Sequence, residues 1–161
     1  MRTERWPSDW QVRLIQLLAV PGLLIAFYLL LYHNGDLVNV CRPSGWDDCG
    51  KVSGPDAPYS SIGPIPVALI GLVGYALIFL VTWLKDWWLP LDDYSPEILL
   101  ALTGFAFLFS LGLTGLELFV IGAICRFCVI SALIITIMLV LSVSYLRAIN
   151  RAAELSEVEA S

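Results

Sequence analysis

Apolar positions along this chain gather into four long runs separated by polar segments. The first extends from Arg13 to Tyr32, the second from Pro64 to Leu84, and a third opens at Ile98. The third stays apolar almost to Ile124, where a fourth takes over from Phe127 to Leu146. Runs of roughly 18 residues or more are long enough to cross a hydrocarbon core as helices. The length limit on one span, Gly122 and the polar Cys125-Arg126 pair put a turn at residues 120–126. The spans are therefore expected at about 13–32, 64–84, 98–120 and 126–146. The pattern predicts an all-α integral membrane protein, a four-transmembrane-helix bundle forming one domain over 1–161.

The segments between the runs refine this picture. Residues 34–63 form a long loop rich in Gly, Pro, Ser and Asp, and hold Cys41 and Cys49. The second run opens on Pro64 and Pro66, expected in a first helical turn, where the amides lack intrahelical partners anyway. The connection 85–97 carries Trp87, Trp88 and Tyr94, and Trp6 and Trp10 precede the first run; all are residue types of the membrane interface. The first run is too long for a signal-peptide core and no small-residue cleavage site follows it, so it is expected to be retained. Residues 147–161 form a charged tail expected in water. Only 14% of residues are charged, against about a quarter in soluble domains. The net charge of −5 comes without a basic stripe, which argues against nucleic acid as a partner.

Lys and Arg counts set the expected orientation. One side holds Arg2, Arg5, Arg13, Lys85, Arg147 and Arg151, and the other only Arg42, Lys51 and Arg126. Both termini are thus expected in the cytoplasm, with the loop between the first two spans extracytoplasmic. The four cysteines then face an oxidising compartment, the inner-membrane or plasma-membrane exterior.

Cys125-Arg126-Phe127-Cys128 opens the fourth run. Two cysteines three apart at a helix start can close a reducible disulfide, and the positive end of the helix favours a thiolate there, with Arg126 adding a cation. Zinc would require two further ligands, a task to which the sole histidine, His33, is poorly matched, and no metal is expected. Cys41 and Cys49 enclose seven residues and suit either a structural clip or a shuttle exchanging with the CxxC pair. The chain has neither GxGxxG nor GxxxxGK[ST], so no nicotinamide or flavin nucleotide is expected. The electrons of a membrane-embedded dithiol point instead to a lipid-soluble quinone, ubiquinone or menaquinone.

The residues resemble the vitamin K epoxide reductase family in its bacterial stand-alone branch, over roughly residues 13 to 146. The resemblance is carried by the loop pair Cys41 and Cys49, the stretch YSSIGPIPVALIGLVGY from Tyr59, and LELFVIGAICRFCVISAL from Leu116. The loop pair precedes the CxxC, as in this family. The resemblance implies a four-helix bundle around a quinone, capped by the loop. It implies that Cys128 passes electrons to the quinone, that Cys125 exchanges with Cys49, and that Cys41 meets the substrate protein. Ser61, with Ser60 beside it, matches a serine near the quinone, and Ala132 matches a pocket-lining position. The implied activity is a quinone-dependent disulfide oxidase that reoxidises a separate extracytoplasmic thioredoxin-fold protein, no such domain being expected after the fourth span. A vitamin K epoxide or quinone reductase would use the same cysteines, and a scaffold with two structural disulfides is the non-enzymatic alternative. The eleven residues between Cys49 and Ser61 exceed the spacing of animal members, and Arg126-Phe127 stands where many bacterial relatives have proline and an aromatic.

Of the remaining residues, Glu117 is expected as an interfacial carboxylate, since about twenty residues from Ile98 bring the helix to the surface. Gly71, Gly74, Gly104, Gly112 and Gly115 are expected at helix-packing positions. Asp47 and Asp48 are expected to solvate the loop, and His33 to lie at the interface.

Overall fold

The computed structural model describes residues 6–37, 47–85, 87 and 89–160. The helices are α1 (Trp6–His33), the short α2 (Cys49–Ser53), α3 (Val67–Leu84), α4 (Leu89–Leu116) and α5 (Arg126–Ala160). A two-stranded hairpin, β1 (Ser61–Ile62) and β2 (Ile65–Pro66), precedes α3, and a π-helical turn (Glu117–Ile121) extends α4. Four of the helices are long and apolar enough to cross a membrane. Lipid cannot hydrogen-bond a backbone, so helices are the form these runs must take.

Boundaries differ from the hydropathy reading in three informative places. Pro64 and Pro66 lie in the hairpin and not in a first helical turn: Gly63 adopts φ 63° between the strands, and Pro66 has extended backbone (φ −62°, ψ 136°) before α3 begins at Val67. The connection after α3 is mostly helix, because α4 starts at Leu89 and tolerates Pro96 inside it. The charged tail continues α5 to Ala160. Its Arg147–Ala160 stretch is dominated by Ala, Glu, Leu and Arg, strong helix formers that need no apolar surroundings.

In the bundle α1 packs against α3 and α5, and α4 against α5 and α3. The shared core holds Val12, Ile15 and Ala19 of α1, Tyr75 and Ile78 of α3, Leu99 of α4, and Ile134, Ile135 and Met138 of α5. Large apolar side chains also point outward, Leu24 being 65% and Leu108 68% exposed, as suits contact with acyl chains. Buried hydroxyls bond to the preceding turn: Thr82 Oγ1 donates to Ile78 O at 3.0 Å and Thr103 Oγ1 to Leu99 O at 2.7 Å. No desolvated donor is left over at those positions.

The tightest helix approach is at a glycine outside the expected set, while of that set a Cβ on Gly71 would touch Ala26 Cβ of α1 at 3.9 Å. A Cβ on Gly22 would lie 2.2 Å from the Tyr75 ring, whereas at Gly74, Gly104, Gly112 and Gly115 it would meet nothing within 4 Å. The ring cannot yield easily, because the Tyr75 hydroxyl is held 2.8 Å from Ser131 Oγ. Gly22→Ala is therefore expected to destabilise the bundle by about 1–3 kcal/mol, and Gly104→Ala to leave it unchanged, both measured by thermal unfolding in detergent.

Candidate redox site

At the end of the bundle where α1 and α4 finish and α3 and α5 begin, a second apolar cluster encloses sulfur. Leu29, Cys49, Val52, Ala123 and Cys125 form it, with Tyr28, Phe127 and Cys128 packed alongside. The Tyr28 and Phe127 rings lie 5.0 Å apart. The loop reaches this cluster through a backbone bridge: residue 47 pairs in parallel with Ile124, and Asp48 N donates to Ile124 O at 3.1 Å. Asp48 also caps α2, its Oδ1 accepting from Gly50 N at 3.0 Å, which is the role of an aspartate at a helix start. Asp47 Oδ2 accepts from Arg126 Nε at 2.8 Å and also pairs with Arg126 Nη2. These three contacts set Cys49 directly against the turn that carries the CxxC.

The sulfurs are the consequence. Cys49 is disulfide-bonded, while Cys125 and Cys128 are free thiols. Cys125 Sγ lies 3.3 Å from Cys49 Sγ, both residues being at most 1% exposed. That separation is within the roughly 3–3.5 Å of reacting atoms poised for attack. Cys41 lies outside the described residues. Cys128, one helical turn on, lines a cavity between the helices and sits 3.9 Å from Ser53 Oγ. The two CxxC thiols thus serve different neighbours, one the loop and one the bundle interior.

That cavity has a volume of about 370 Å3, within the roughly 300–1,000 Å3 of small-molecule sites. Ile25, Gly71, Gly74, Phe105, Phe109 and Leu113 supply apolar wall, and His33, Ser53, Ser60, Glu117 and Cys128 supply polar groups. An apolar slot with a few convergent polar groups beside a thiol fits a quinone ring. Gly71 and Gly74 are cavity walls as well as helix positions. Of the expected pocket residues, Ser60 lines the cavity, while Ser61 and Ala132 are not among its lining residues. Ser60 is buried in the bend before β1, its Oγ donating to Ala57 O at 2.8 Å, whereas Ser61 opens the strand. On α5 the lining stripe is Cys128, Ser131 and Ile135, and Ala132 falls beside it.

Hydropathy underrated three carboxylates. Glu117 is only 3% exposed, enclosed by protein at the start of the π-turn, and it accepts from Cys125 N at 3.3 Å. Asp47 and Asp48 do more than solvate a loop. The signal for Asp48 was present in its position directly before Cys49-Gly-Lys-Val-Ser, a cap followed by a short helix. His33 Nδ1 is buried and has no hydrogen-bond partner among the described residues.

Residues 13–143 match the family described as vitamin K epoxide reductase. The chain belongs to the vitamin K epoxide reductase family. Comparison with curated proteins finds no match. Membership in the vitamin K epoxide reductase family makes the protein a multi-pass membrane oxidoreductase, of a family linked to quinones and disulfide chemistry. Arg126, inside the CxxC, is paired with Asp47 of the loop.

Electrostatics at the start of α5 favours the thiolate form of Cys125. A hydrogen bond from the Cys128 thiol, and then the Cys128 and Phe127 amides at the start of α5, hold Cys125 below the usual thiol value of 9.0, against burial and the Glu117 charge. A depressed pKa means that the thiolate persists to lower pH than in an unfolded chain. In a pH titration of ultraviolet thiolate absorbance on the reduced protein, the component lost in Cys125→Ser is expected to have its midpoint below 9.0. The loop contact makes a separate prediction. In a Cys41→Ser/Cys128→Ser background, mild oxidation should join Cys49 to Cys125. Arg126→Glu is expected to slow that cross-link several-fold, and adding Asp47→Arg to restore it, as read by maleimide mass-tagging.

Proposed function

We propose that the protein is a quinone-dependent disulfide oxidase working at the outer face of the membrane. The observation that carries this reading is the 3.3 Å contact between Cys125 and the disulfide-bonded Cys49, with Cys128 of the same helix on a quinone-sized cavity. A dithiol protein of the thioredoxin fold attacks the loop disulfide of Cys41 and Cys49 and leaves oxidised. The loop dithiol then attacks an oxidised Cys125–Cys128 pair at Cys125, displacing the Cys128 thiolate. Cys41 resolves the Cys49–Cys125 link. Each exchange breaks one S–S bond and forms another, so the two electrons move inward without a free intermediate. Holding both pairs on one chain makes the middle exchange unimolecular.

The final acceptor is a ubiquinone or menaquinone, reduced by two electrons and two protons as Cys125 and Cys128 close their disulfide. Cys128 faces it, with Ser60 at the polar end of the cavity and Ser61 and Ala132 nearby. The partner is a separate chain. The termini are placed in the cytoplasm on the six-to-three excess of Lys and Arg on their side.

Thiol trapping in membranes tests this. With added quinone, reduced wild-type protein is expected to become resistant to maleimide at all four cysteines. Cys128→Ala is expected to abolish quinone-driven oxidation while leaving exchange at the loop pair. Equal oxidation with and without quinone in both proteins would make the cysteines structural and remove the proposal.

A further inference from the structure

Glu117 remains unexplained by electron transfer alone. It is an acid in a spanning helix, 3% exposed, at the junction of α4 and α5. Charged groups in such surroundings are costly and usually functional. Its carboxylate accepts from Cys125 N at 3.3 Å, which holds it at the base of the CxxC turn. It also lines the cavity that Cys128 lines. A carboxylate has about four acceptor positions. As a mere staple for the turn, a neutral amide would serve equally and avoid the cost of burying charge. The turn has its own closure in any case, since Gly122 N donates to Glu117 O at 2.9 Å.

We propose that Glu117 is the proton carrier of the inner redox step, taking the Cys128 thiol proton and delivering it to a quinone oxygen in the cavity. This rests on the quinone-dependent reading above. Overall, the Cys125–Cys128 dithiol loses two electrons and two protons and gains one S–S bond. The quinone gains both electrons and both protons and leaves as quinol, and Glu117 ends each turnover as it began. Proton and thiolate are thereby managed by one pair: when the proton sits on Glu117, Cys128 is the nucleophile. The other titratable groups sharing the cavity are His33 of α1, Tyr59 ahead of β1 and Tyr75 of α3. Tyr75 is engaged with Ser131, Arg126 with Asp47, and Lys51 of α2 with Asp48. Among these only Glu117 both lines the cavity with Cys128 and bonds to the CxxC backbone, at Cys125 N, in the described residues.

The test uses full-length protein in detergent. Glu117→Gln keeps a carbonyl acceptor for Cys125 N and removes the ionisation. It is expected to slow quinone-driven oxidation of the reduced CxxC about a hundredfold or more and to flatten its pH profile. Cys49–Cys125 exchange, followed by mass-tagging without quinone, is expected to stay within threefold of wild type, and Glu117→Asp to recover part of the rate. In a quinone-free arm, alkylation of Cys128 against pH should require two coupled ionisations in wild type and one in Glu117→Gln. An unchanged quinone rate and pH profile in Glu117→Gln overturns the proposal, and so does equal slowing of both steps. If wild-type protein fails to respond to quinone, the oxidase reading falls and with it the quinone as proton acceptor. The alkylation arm then decides alone whether Glu117 and Cys128 share a proton.

Discussion

Everything about this site depends on a backbone bridge between two segments far apart in sequence. Residue 47 lies along Ile124, and the Asp48 amide closes the link at 3.1 Å. A surface ion pair would be a weak tether by itself, since exposed pairs are screened and entropically costly. Here the Asp47–Arg126 pair acts on a chain already fixed in direction by main-chain bonding and by the α2 cap at Asp48. The register of that bridge decides which loop sulfur meets which CxxC sulfur. A slip of one residue in extended chain would turn the side chains to the other side. The apolar cluster of Leu29, Val52 and Ala123 then closes over the sulfurs and excludes water from them.

The same turn divides the work of the CxxC. Cys125 precedes the first residue of α5 and Cys128 lies in its first turn. The helix start presents amides to Cys125, while the helical rotation between the two residues directs Cys128 toward the cavity. One motif thereby sets one thiol against the loop sulfur and the other on a cavity inside the bundle. The π-turn before it completes the arrangement, because Glu117 at its start is buried and accepts from Cys125 N. Widened turns of this kind recur at functional sites.

The tightest helix junction of the bundle forms part of the cavity wall, where Tyr75 and Ser131 meet. Gly22 lets the Tyr75 ring lie against α1, and the Tyr75 hydroxyl reaches across to Ser131 of α5, tying three helices at one level. The glycines of α4 make no comparable approach, so the small residues there do not mark a tight helix seam.

Four spans, the position of the CxxC at the start of the last one, and the order of the cysteine pairs were legible in the sequence alone. The reason is physical: a backbone in hydrocarbon must satisfy itself locally, so run length dictates helices, and a three-residue cysteine spacing is a local feature. The prolines at 64 and 66 were legible as a boundary but not as a hairpin, which needs the pairing of Ser61 with Pro66. Tertiary structure alone decided the rest. Asp47 and Arg126 are 79 positions apart, and the Cys49–Cys125 contact spans 76. Whether Ser60 or Ser61 meets the cavity, and whether Glu117 is wet or buried, depends on the rotation of each segment about its own axis. Packing sets that rotation, and hydropathy, which is nearly uniform around these helices, does not encode it.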